Sequence, residues 1–260
     1  MNSVHRWSAR SLSDNLDQPI EGQLCATVWP TRSLTSSSRW FDELYLWTEG
    51  FQPSPRERSR IQLLGLKRAC ALLEREEAEQ VAVTLSFGTV ERFTDRIDAE
   101  LQRHELVAHR LVLLLRGAID TVASRYRLRA FADHLRSRQI PVGLRVTSPR
   151  LTMELKTFDL LAPDFAKVLA PASPHVDAWN NLALEARVVG VPEQWLIVAG
   201  LETSAQVELA TQAGFGFGQG NAIRPPQPLP ANIAAGREGS AQGKDGSSPT
   251  HDSEPSVAVE

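Results

Sequence analysis

Side chains suited to bond-breaking chemistry are spread thinly along this 260-residue chain. His104 and His109 stand five apart, so they do not share a helix face well and do not read as a ligand pair. The two cysteines, Cys25 and Cys70, fall in an apolar run and a helix-like stretch and read as buried, reduced thiols. Gly214, Gly216, Gly218 and Gly220 come late, with Pro225 and Pro226 after them and no helix, so they do not form a phosphate-cradling loop. Lys167, Glu202 and Gln219 each have a plain structural reading. Lys167 suits an ion pair at a strand end, and Gln219 a hydrogen bond to loop backbone. Glu202 precedes a helix-like stretch, where a carboxylate is stabilising without catalysis.

The elements that must position these residues alternate. Apolar runs at 24–29, 44–47, 81–85, 111–115, 142–146, 165–169 and 195–198, with a short one at 215–217, have the length and composition of strands. The run at 111–115 is continuous and apolar, as a strand buried on both faces requires. Amphipathic stretches lie between them, around Ile61, Leu64, Leu72 and Leu73, and at 95–106, 119–138, 176–189 and 204–213. This alternation gives an α/β protein with a mainly parallel sheet and helices outside it. About eight strands would close a barrel, and an open doubly wound sheet gives the same pattern.

Composition bounds the rest. A net charge of −3 gives no general pull toward nucleic acid or anionic membrane. No run approaches the ~20 apolar residues of a membrane helix, and residues 1–18 lack the apolar core of a secretory signal. The expected protein is soluble and cytoplasmic. Residues 1–20 read as a poorly ordered lead-in and 21–228 as one barrel-sized domain. From Pro225 the composition turns to Pro, Gly, Ser and acidic residues, and 229–260 reads as a disordered tail that cannot bury enough surface to offset its chain entropy.

Several segments together resemble the EAL domain, the bacterial cyclic di-GMP phosphodiesterase family. Residues 196–203, LIVAGLET, resemble the family's "viAEGVET"; Gln219-Gly220-Asn221 and Pro225-Pro226 resemble "QGYyfgkP". More weakly, 163–168 are similar to "pDyiKiD", 81–86 to "vsVNLS", 110–117 to "rlvlEiTE", Trp29-Pro30 to the start of "QPI", and 42–47 to "EALlRW". The resemblance spans about residues 24–228. It implies a (β/α)8 TIM-like barrel of EAL type with one antiparallel strand, and so favours the closed barrel over the open sheet.

The resemblance also implies where a two-metal phosphodiester hydrolase would keep its ligands. Hard cations such as Mg²⁺ or Mn²⁺ need several carboxylate or amide oxygens around them. The Glu of "EAL" falls on Asp42 or Glu43, and the Asp42 register keeps Leu44 and Trp47 in place. The Asn of "NLS" falls on Thr84. The two Glu of "EiTE" fall on Leu114 and Gly117, the paired Asp near Arg145-Val146, and the first Glu of "EGVE" on Ala199. Lys167, Glu202 and Gln219 match the family, as does an acid at Asp42 or Glu43. Leu46 takes the place of the strand-two Arg that pairs with phosphate, and Trp29 the place of a Gln, where it would fill part of the substrate pocket. A guanidinium ~4 Å from a divalent ion repels it by roughly 8 kcal/mol at an effective dielectric of about 20. No metal site and no cofactor are therefore expected, with Mg²⁺ or Mn²⁺ required only if the chain is an active phosphodiesterase after all.

By analogy of fold, degenerate members of the family act through protein–protein contacts. The expected function is that of a catalytically inactive, EAL-like regulator with a protein partner in bacterial signalling. The alternatives are a receptor that binds cyclic di-GMP without cutting it, and a weak phosphodiesterase with a rearranged metal site.

Overall fold

The computed structural model describes residues 23–49, 52–117, 121–146, 157 and 160–229. The lead-in and residues 230–260 lie outside this set. Strands β1 (Gln23–Ser33) and β2 (Arg39–Glu49) form a long antiparallel hairpin. Helix α1 (Pro55–Glu74) follows, then β3 (Val81–Ser86), α2 (Phe87–Arg103), the single turn α3 (Glu105–Ala108), β4 (Leu111–Arg116), α4 (Val122–Ser137) and β5 (Val142–Arg145). The second half holds β6 (Phe165–Leu169), α5 (Val176–Val188), β7 (Leu196–Ala199), α6 (Ser204–Gln212), β8 (Phe217–Gln219) and the two-residue β9 (Gln227–Pro228).

Strands β2 to β8 pair in sequence order, all parallel, and β1 closes the ring by pairing antiparallel with both β2 and β8. The result is a closed eight-strand barrel, which leaves no open sheet edge between its first and last parallel strands. A register shift between Thr31 and Arg32 bends β1, so that Arg32 and Ser33 meet β8 while the rest of the strand stays on β2.

The alternation of side chains explains the burial. In β4, Leu111, Leu113 and Leu115 face the helices while Val112 and Leu114 face the barrel interior, and all five are fully buried. The interior is plugged at its lower end by Trp40, Phe41, Ala82, Val112, Leu114, Phe165, Ile197 and Phe217. Trp40 packs on Phe217 and Phe165 with ring centroids 4.2 and 4.9 Å apart. Gly143 makes this packing possible: a Cβ there would lie 2.3 Å from Cζ of Phe165.

Helix starts follow their capping residues. Ser54 and Glu57 form a capping box with Pro55 at the first position of α1, and Thr203 and Gln206 form one for α6. Ser86 caps α2 through the amide of Thr89, so this helix begins at Phe87, two turns before the position that its amphipathic pattern suggests. Two expectations need correction at their edges. Trp195 belongs to a single 3₁₀ turn, not to β7. The last barrel strand is Phe217–Gln219, displaced from 215–217 because Phe215 is buried under the helix layer beside Trp179. Past Pro225, β9 pairs with Thr27 and Val28, and the Leu229 amide donates to the Ala26 carbonyl.

Candidate functional site at the barrel mouth

Above the aromatic plug the inward positions turn polar. On five strands the next inward residue toward the C-terminal end is polar: Glu43 on β2, Thr84 on β3, Arg145 on β5, Lys167 on β6 and Gln219 on β8. This is the face where barrel proteins keep their chemistry. Thr31 joins from the antiparallel strand.

Glu43 is the hub and is 2% exposed. Its Oε1 accepts from the Thr84 hydroxyl at 2.9 Å and lies 3.6 Å from Nη1 of Arg145. Its Oε2 accepts from the Lys167 ammonium and, at 3.3 Å, from the Gln219 amide. Lys167 also donates to Oε1 of Gln219, whose Nε2 donates to the Trp29 carbonyl at 3.1 Å and the Thr31 hydroxyl at 3.2 Å. Burial alone would push the Glu43 carboxyl up, but Lys167, Arg145 and the hydrogen bonds together hold it below its ordinary value. Burial draws the Lys167 ammonium down, Glu43 opposes that, and Arg145 adds to it. Two cations facing one carboxylate favour its ionised form, while for Lys167 burial outweighs Glu43 and the net direction is down.

The barrel's alternation puts the two adjacent acids on opposite faces. Asp42 lies on the opposite face from Glu43: it is buried against the helix layer, where its carboxylate accepts from Arg39. Of the two acids, Glu43 is the one that faces the mouth. Leu46 points outward, where it packs against the helix-facing core beside Gly65, while Trp47 shares the Glu43 face. Trp29 is not at a strand end. It pairs with Glu43 in mid-strand and touches the site through its backbone carbonyl.

The other assigned positions separate by face. Leu114 and Ala199 face inward and are buried. Val146 faces the helix layer, so Arg145 alone of that pair reaches the mouth. Gly117 ends β4 with φ +124° under the Phe87 ring. Glu202 does not join Lys167 and Gln219: it is exposed in the loop before α6, where it accepts from the Asn221 amide at 2.6 Å. Gly220, next to Gln219, has φ +152°, and a Cβ there would lie 2.3 Å from the Leu201 carbonyl oxygen, so no other residue fits the turn that aims Gln219 inward.

Arg116 was not among the sequence candidates. Its signal was the parity of "LVLLLR", which sets it on the same face as Leu114. Among the described residues no three His, Cys, Asp or Glu side chains converge as a metal site would require.

No protein-family model and no curated protein matches the sequence. Solved structures do match its fold. The PaMucR phosphodiesterase, determined in complex with c-di-GMP, superposes with a TM-score of 0.61 at 22% identity, over 80% of this chain and 98% of that one. The FimX EAL domain of Xanthomonas citri, also in complex with c-di-GMP, gives 0.59 at 16% identity over 79% and 88%. The YkuI protein of Bacillus subtilis, which has an EAL domain and was determined with c-di-GMP and calcium, gives 0.60 at 17% identity, over 82% of this chain and 56% of that one.

Proposed function

From a chain that has the EAL-type barrel fold, we propose a non-hydrolysing regulator that acts in bacterial signalling by contacting a protein partner. One observation carries the reading: both oxygens of Glu43 are engaged by groups of the protein itself. To bind a divalent ion, this carboxylate would have to give up Lys167, and the ion would stand beside Arg145. Each of these changes is electrostatically unfavourable.

The rest of the donor set fits a pair of hard cations no better. Leu114, Gly117 and Ala199 carry no side-chain oxygen, and Thr84 offers a neutral hydroxyl already committed to Glu43. No hydrolytic step is derived through such ions. The polar layer reads instead as a satisfied buried network that holds β2, β3, β5, β6 and β8 in register.

A contact role is supported by apolar side chains on the outer helices. Val122 and Tyr126, four apart on α4, are 64% and 74% exposed; Leu184 and Val188, four apart on α5, are 57% and 60% exposed. A cytoplasmic location is supported by the cysteines. Neither Cys25 nor Cys70 is in a disulfide, and burial pushes the Cys70 thiol up to about 12.

A second reading, a receptor that binds cyclic di-GMP without cutting it, draws support from Arg145 and Arg116 at the mouth, because guanidinium groups suit phosphate. One experiment separates the possibilities. Purified protein is incubated with cyclic di-GMP in Mg²⁺ and in Mn²⁺ with product separation, and the same material is titrated calorimetrically with the dinucleotide. The proposal expects neither product nor binding heat. Binding without product selects the receptor, and product that disappears in Lys167→Ala abandons the non-hydrolysing reading.

A further inference from the structure

The β2–β3 ladder pairs only Asp42, Glu43 and Leu44 with Val81, Ala82 and Val83. Beyond that the strands part, and a cleft opens between them toward α1 at Ile61, Gln62 and Gly65. Its floor is apolar, formed by Leu46, Ile61 and Val83 over Gly65. Its rim holds two guanidinium groups, Arg116 and Arg145, with the Thr84 side chain and the Gln62 amide.

The two arginines are unequally satisfied. Arg145 lies 3.6 Å from Glu43, over the Tyr45 ring at 5.8 Å. Arg116 is half-buried, and its Nε has no hydrogen-bond partner among the described residues, an arrangement that burial normally penalises. Its charged surroundings are positive: burial and then Arg145 draw its guanidinium below the ordinary value, Tyr45 opposes this, and Arg58 adds a second like charge. Glu43 does not relieve it, because Lys167, Gln219 and Thr84 already hold that carboxylate. Gln62 is fixed with its oxygen toward the Ser86 amide and the Thr89 hydroxyl, at 2.9 and 2.7 Å, which leaves the donor end of its amide unused by either bond.

We propose that this cleft binds a single oxyanion group, the phosphate or carboxylate of a small molecule, between the guanidinium groups of Arg116 and Arg145. Two planar forks on one small cleft match the two-oxygen geometry of such a group. The cleft has room for an anionic head, and its apolar lining accepts a short carbon substituent. The inference does not depend on the protein-contact reading, since a regulator or a receptor could each carry the site.

The test titrates the whole chain calorimetrically with inorganic phosphate and, separately, with acetate, with ionic strength held constant by chloride. Saturable one-to-one binding of at least one anion is expected. Arg116→Gln and Arg145→Gln should each weaken it by at least about tenfold, while Arg187→Gln on α5 leaves it unchanged. The two anions distinguish a phosphate from a carboxylate ligand. If a glutamine variant does not fold, thermal unfolding of the unsubstituted chain in phosphate or acetate against matched chloride gives the answer. Absence of saturable binding and of anion-specific stabilisation, or equal affinity in the folded arginine variants, overturns the proposal.

Discussion

Lys167 and Glu43, 124 residues apart in the chain, form an ion pair inside the barrel with side chains 4% and 2% exposed. The pair ties β6 to β2 across the mouth and sets the chemistry of everything around it. Removing one partner leaves the other as a buried charge, which is far more costly than removing both. Lys167→Met should destabilise the fold by about 3 kcal/mol, at the low end for broken buried pairs because Arg145 remains near Glu43. The double variant Glu43→Gln with Lys167→Met should recover at least about 1 kcal/mol of that loss. Urea denaturation of the three proteins measures both, and a double variant less stable than the single one contradicts the pairing.

Acid dependence follows from the same carboxylate. The Glu43 carboxyl is held below its ordinary value of 4.5, so its charged form is favoured by folding. That contribution is fully present above the ordinary value and is lost as pH falls through the lowered folded value. Stability should therefore decline with a steeper slope below about pH 4.5 in the unsubstituted chain than in Glu43→Gln. Equal acid slopes for the two would show that the carboxylate is not specially held.

Divalent metal should matter little to stability. A native-state site present at 100 times its dissociation constant would add about 2.7 kcal/mol. With Glu43 already engaged, millimolar Mg²⁺ or Mn²⁺ should shift the melting temperature by less than about 1 °C, and chelator should do the same. A shift of several degrees on chelation would mean that the mouth holds metal.

The interior plug predicts a packing defect at one atom. Gly143→Ala would place a methyl 2.3 Å from Cζ of Phe165 and 2.9 Å from Cδ2 of Leu114. Overpacking of this kind should cost about 2 kcal/mol, and Phe165→Leu in the same chain should relieve part of it. Thermal unfolding checks the pair, and full stability of Gly143→Ala alone would show that the plug can yield.

The barrel was legible because β4 and its neighbours are apolar on both faces, and helix-period stretches alternate with them. Closure was not contained in that alternation. It depended on the antiparallel β1, whose pairing with both β2 and β8 is a long-range event. The site was half legible. Lys167 and Gln219 stand on strands with motif-like neighbours, and the structure brings them together; Glu202, marked by the same motif, lies outside in a capped loop. The choice between Asp42 and Glu43 could not be made from adjacent acids, because it turns on which residue of β2 faces inward.

The sequence alone determined the alternation of strands and helices, since that information is local: run length and periodicity. Tertiary structure decided which polar side chains meet. A strand's two faces differ only by parity, and shifting it by one residue exchanges an ion-paired Asp42 beneath the helices for the Glu43 hub at the mouth. The convergence of Glu43, Thr84, Arg145, Lys167 and Gln219 on one buried point exists only once five strands are closed into a ring, because no stretch of chain short enough to read as a motif contains more than one of them.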